Sequence, residues 1–194
     1  METDRLLVAF LRSALNECCA LAQQVLTQRE TASDLYRLED LDGFFETIDR
    51  LPPRDGPPSG LFFTSPACPG WTGLANRRDA WMGLVRAMCA HERNLEALYV
   101  ECNLREIENY RAAEFELLNH GATVRYVHAW KDERGWHFTN RGEPLWFEDT
   151  RYYSKRAIAD RLGFAILEEM VSKIGIDLTM LLSAKLSDAS AVTT

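Results

Sequence analysis

No stretch of this chain reaches the roughly 18 unbroken apolar residues that mark a membrane-spanning helix. Its start, METDRLLVAFLRSALNECC, opens on acidic residues and holds only a short apolar run. That fits neither a signal peptide nor a membrane anchor, and a cytoplasmic protein with no membrane partner is the expectation. No CxxC pair occurs. The five cysteines, Cys18, Cys19, Cys68, Cys89 and Cys102, are odd in number and sit mostly in apolar surroundings. Buried free thiols in a reducing compartment account for them better than a disulfide framework. GxGxxG, P-loop, GxSxG, HExxH and calcium-loop patterns are all missing, which removes the commonest signatures of nucleotide, hydrolase and metal chemistry. No internal repeat is found, and neither a cofactor nor a metal site is expected. Positive charge is in short supply: 22 Lys and Arg stand against 29 Asp and Glu, for a formal net charge of -7. Backbone phosphates would be repelled, so no nucleic-acid partner is expected. An acidic surface suits a basic protein partner, as it also suits solubility.

What is present is the material for a core. The chain has 194 residues, 46% of them hydrophobic, enough for one domain spanning 1–194. Within the segment 51–60, LPPRDGPPSG, four prolines and two glycines forbid helix and central strand and mark the place where two lobes would divide. Leu7, Leu11, Ala14, Cys18, Leu21 and Val25 recur at steps of four and three, which predicts one helix over the first thirty residues. The seam predicts either a core face or the contact of a homodimer. A second helix is expected over 33–49, a short strand over 61–64, irregular chain over 65–76, a helix over 77–91, a strand over 95–104 and a helix over 105–119. The strands 122–131 and 136–139 form a hairpin, with a third, edge-like segment over 144–147. A long helix over 154–174 and a short one over 178–186 precede a small, polar tail, 187–194, expected to fray. The fold class predicted is α+β: several helices packed around a small, mainly antiparallel sheet, with long N-terminal and C-terminal helices.

The hairpin allows a register argument. If Lys131 opposes Trp136, then Trp130 opposes His137 and Ala129 opposes Phe138. Alternation then places Tyr126, His128, Trp130, His137 and Thr139 on one face, and Val127, Ala129, Lys131, Trp136 and Phe138 on the other. Two imidazoles beside a tyrosine and a tryptophan suggest acid–base chemistry, an aromatic binding face, or a sheet face packed against a helix. They are too few for zinc, which takes three or four ligands. A second catalytic alternative is Arg86 five residues before His91, a spacing similar to that in some helical ribonucleases, where histidine moves the proton and arginine neutralises phosphate.

Glu143, Glu148 and Asp149 surround Trp146 and Phe147, carboxylates flanking aromatics in a way that suits a basic partner, a solvated rim, negative charge at the start of the following helix, or internal pairing with the cations of 151–156. The stretch GEPLWFEDTRYYSKRAIADRLGFAILEEM resembles, in character, some bacterial immunity proteins that neutralise secreted toxin nucleases: small, acidic, cytoplasmic and without a catalytic motif. The resemblance covers about 29 of the 194 residues and carries no diagnostic motif. It implies a non-catalytic protein that binds a cognate toxin and blocks its active site or locks its fold. The partner-binding residues are then Trp130, Trp136, His137, Glu143, Trp146, Phe147, Glu148 and Asp149. The alternatives are a small hydrolase or ribonuclease-like enzyme using Arg86 and His91 or His128 and His137, and a homodimeric regulatory adaptor joined through the first helix.

Overall fold

In the computed structural model, which describes residues 5–51, 59–76, 81–104 and 111–194, the chain builds one broad sheet with helices on both sides. In chain order the elements are β1 (Arg5–Leu11), α1 (Leu15–Gln28), β2 (Asp34–Arg37), α2 (Phe44–Asp49), β3 (Ser59–Thr64), β4 (Thr72–Asn76), α3 (Met82–His91), β5 (Glu96–Asn103), β6 (Arg111–Asn119), β7 (Ala122–Asp132), β8 (Gly135–Arg141), α4 (Phe164–Ser172), α5 (Leu178–Ser183) and β9 (Asp188–Thr193). The nine strands run in the order β2-β9-β3-β4-β1-β5-β6-β7-β8, every neighbouring pair antiparallel.

This corrects the predicted fold class. The sheet is not small, and neither end of the chain is a long helix. The first thirty residues split because LLVAFL is a continuous apolar run, and such a run fits a strand buried on both faces as well as a helix. β1 is paired on both sides, by β4 and β5. Helical spacing is kept only from Cys18 onward, where Cys18, Ala22 and Val25 face the core. The proposed dimer seam is therefore not a helical stripe: Leu11 is a buried strand residue, and Cys18 and Val25 are already packed inside.

The expected helix over 33–49 reduces to the edge strand β2 and the short α2. The irregular stretch over 65–76 ends in β4, an interior strand. The helix predicted over 105–119 is a strand through its last nine residues, β6; residues 105–110 lie outside the described residues, as do 52–58 of the proline-rich segment and 77–80 at the start of α3. The edge-like segment over 144–147 is a turn, not a strand. The C-terminal helix is interrupted at Gly163, leaving a single 3-10 turn at Ile158–Asp160 before the nine-residue α4. The tail does not fray: it becomes β9, held between β2 and β3.

Two cores result, one on each face of the sheet. One joins Leu6, Val8 and Phe10 of β1 with Phe44, Leu167, Met170 and Leu181 from α2, α4 and α5. The other joins Ala9 and Leu11 of the same strand with Cys18, Val25, Val85 and Met88 from α1 and α3. Alternation along β1 divides its side chains between them. The β6–β7 turn places α3. His120 and Gly121 both take positive φ, 51° and 75°, as a two-residue turn of the inverse type requires. A Cβ at Gly121 would stand 2.8 Å from the backbone oxygen of Arg86, so the turn and α3 touch closely. That contact brings Arg86 over the sheet.

Candidate functional site

The predicted hairpin register is the one observed: Lys131 pairs with Trp136, Trp130 with His137 and Ala129 with Phe138. The predicted face is also there. Tyr126 and His128 meet edge-on with ring centroids 5.9 Å apart, His128 stacks on Trp130 at 4.4 Å, and Trp130 stacks on His137 at 5.0 Å. The rings form a ladder, and its order matters. The Trp130 indole stacks against both imidazoles and is the ring that links His128 to His137. His137 is further tied by its Nε2 to Asp132 Oδ1 at 2.9 Å.

Beside Asp132 of the hairpin itself, the sheet brings three further carboxylates to the ladder face from the strands beyond. Glu114 of β6 pairs with His128, Glu116 with Tyr126, and Glu101 of β5 pairs with Glu114. The hydroxyl of Tyr126 donates to Glu114 Oε2 at 3.0 Å and lies 3.0 Å from His128 Nδ1. The hydroxyl of Tyr99 donates to Glu101 Oε2 at 2.9 Å. Burial pushes the Glu114 carboxyl up to about 7 and the His128 imidazole down to about 4. Glu114 and Glu116 were missed because Ala112, Ala113, Glu114, Leu117 and Leu118 read as strong helix formers. The signal that reveals them is the alternation of Ala113, Phe115 and Leu117 with Glu114 and Glu116.

The Arg86 and His91 pair is not assembled. The Arg86 guanidinium donates to Glu116 Oε1 at 2.5 Å and to the Thr123 hydroxyl at 3.0 Å, while His91 is exposed at the end of α3. Five residues of helix separate the two side chains by about 140° around its axis.

The 143–149 segment is split between interior and surface. Arg125, fully buried, donates from Nε to Glu148 Oε1 at 2.7 Å and from Nη2 to Glu148 Oε2 at 2.5 Å, and from Nη1 to the carbonyls of Arg141 and Gly142. The Tyr153 hydroxyl adds a further bond to Glu148 at 2.6 Å. Glu148 is thus an internal anchor with no exposed side chain, and Phe147 is buried beside Phe115. Asp149 caps the 3-10 turn Thr150–Ser154, and its bonds from Arg151 hold its carboxyl down at about 2. Gly142 makes the departure from β8: its φ is +84°, and any Cβ would strike the Val124 carbonyl. Glu143 and Trp146 remain on the surface, Trp146 with 77% of its area exposed.

Trp136 lies on the opposite face of the hairpin from Trp130. It lines a cavity of about 210 Å³ whose floor includes Ala112, Ala113 and Ala129 and whose far wall includes Leu162 and Phe164. The predicted contact residues therefore do not form one patch: Trp130 and His137 look out on one side of the sheet, Trp136 on the other. Among the described residues, no group of three or more His, Cys, Asp or Glu side chains is placed to hold a metal ion. No helix among them is long and apolar enough to cross a membrane. All five cysteines are free and buried. In comparisons with known proteins, the chain matches no protein-family model, no curated protein and no solved structure.

Proposed function

We propose that this chain is a non-catalytic binding protein whose partner is a basic protein, and that it acts as a cytoplasmic immunity protein neutralising a cognate toxin. The observation that carries the binding reading is Trp146. It is 77% exposed, yet its neighbours are fixed: Phe147 is buried, and Glu148 is held by Arg125 on one side and by the Leu145 N–H on the other. A large aromatic side chain on a rigid turn has little ordering left to lose when a partner covers it. Tryptophan in that setting is the residue type that dominates binding energy at interfaces. Glu143 lies exposed three residues before it. The formal charge of -7 favours encounter with a basic partner. Free, buried thiols suit a reducing compartment. The catalytic alternatives lose support from geometry, since His128 and His137 are each stacked on Trp130, and Arg86 is bonded to Glu116.

The test is affinity capture with the tagged chain in a lysate of its native host, followed by native mass spectrometry and co-expression. The expected result is a stoichiometric complex with a basic protein whose toxicity the chain suppresses. Recovery of the chain alone while such a protein is expressed, or turnover of a phosphodiester or ester substrate that is lost on replacing His128, contradicts the proposal.

A further inference from the structure

Among the described residues, the ladder face carries more buried carboxyls than arginines to answer them. Glu101 on β5 stands directly across from Glu114 on β6, with Glu116 two residues further along. Their side chains are 8%, 14% and 7% exposed. Like charges directly opposite on adjacent strands repel, and poor solvation strengthens the repulsion. Two arginines answer two of the three carboxyls: Arg5 Nη2 lies 2.5 Å from Glu101 and Arg86 Nη2 lies 2.5 Å from Glu116. Glu114 meets the Tyr126 hydroxyl and, at 3.3 Å, Nδ1 of His128. The charged and titratable groups facing it from the described elements are Arg5, Tyr99 and Glu101, Glu116, Tyr126 and His128, and Arg86. His128 is also a rung of the aromatic ladder, stacked 4.4 Å from Trp130.

We propose that Glu114 is a proton-operated latch on the ladder: protonated, its hydroxyl donates to Nδ1 of His128 and holds the rings stacked, and ionised, it keeps the bond from Tyr126 but loses that donation, adds a third buried carboxylate beside Glu101 and Glu116 and loosens the stack. The latch works on the free protein and does not depend on what Trp146 binds.

The direction in pH follows from two opposed shifts. Burial raises the Glu114 carboxyl from 4.5 to about 7, so its contribution to stability is complete below about 4.5 and is lost as pH rises through about 7. Burial lowers the His128 imidazole from 6.5 to about 4, so its contribution is present above about 6.5 and is lost as pH falls toward 4. The two nearly cancel at mildly acid pH. Glu114 acts alone only near neutrality, where His128 is already neutral.

The test reads the carbon-bound ring protons of His128 by NMR from about pH 6 to about pH 8, in the wild type and in Glu114→Gln. His128 does not itself titrate in that window, so its signals report its surroundings. In the wild type they are expected to move downfield as the indole's ring current is lost, with a midpoint near 7, and in Glu114→Gln they stay constant. The stability of Glu114→Gln relative to wild type should also grow as pH rises through that midpoint. His128 signals that stay fixed in the wild type, that move equally in Glu114→Gln, or a stability difference independent of pH would overturn the latch. No partner is needed, so failure here is distinct from failure of the binding reading.

Discussion

Arg125 and Glu148 form a two-pronged ion pair with neither side chain exposed to solvent. The pair joins the interior of β7 to the turn that displays Trp146. Burying two charges is costly, and the cost is met here by near-complete hydrogen bonding: Arg125 also reaches Asn140 and two backbone carbonyls, and Glu148 also accepts from Tyr153 and Leu145. Removing one partner leaves the other charged and unpaired. Glu148→Ala is expected to lower stability by about 3–5 kcal/mol, read by urea denaturation. A loss within about 0.5 kcal/mol, as for a surface change, would mean that the pair does not anchor the turn.

The β6–β7 turn gives a second prediction. Gly121→Ala puts a methyl group 2.8 Å from the Arg86 carbonyl oxygen at a φ of +75°. Positive φ alone costs about 1–2 kcal/mol for a residue with a Cβ. The contact adds to that and pushes α3 away from the sheet. Thermal unfolding should show a loss of about 2 kcal/mol or more, and Arg86 should lose its bond to Glu116.

The cysteines give a third. Desolvation raises all five thiols, Cys18 and Cys102 to about 12 and Cys68 and Cys89 to about 11. A thiol is nucleophilic only as the thiolate. Native protein at about pH 8 should therefore resist alkylation, with all five positions reacting in denaturant. Fast modification of any one in the folded protein would show that its side chain opens to solvent.

How far the sequence could be read depended on how much of each signal was local. The β7–β8 register was legible because the turn Asp132–Gly135 and strict alternation fix it within twenty residues. The contact of Trp130 with both imidazoles followed from that register. β1 and β6 were not legible. A run such as LLVAFL, or one rich in Ala, Glu and Leu, favours helix locally, and strands on either side override that preference. Glu114 entered the site only with β6. Glu148 looked like a contact residue because its partner, Arg125, lies 23 residues away and nothing nearby in sequence signals the pairing. The tail misled for the same reason: SDASAVTT has little apolar bulk of its own and is ordered by β2 and β3.

The central claim is that Trp146 is the anchor of a partner-binding surface. The direct measurement is the affinity of purified wild type and Trp146→Ala for the captured partner by titration calorimetry, with unfolding curves for both. The account predicts matching stability, since the ring is exposed, together with affinity weakened by about 2 kcal/mol or more, roughly thirtyfold. A folded Trp146→Ala that binds the same partner with unchanged affinity would contradict it.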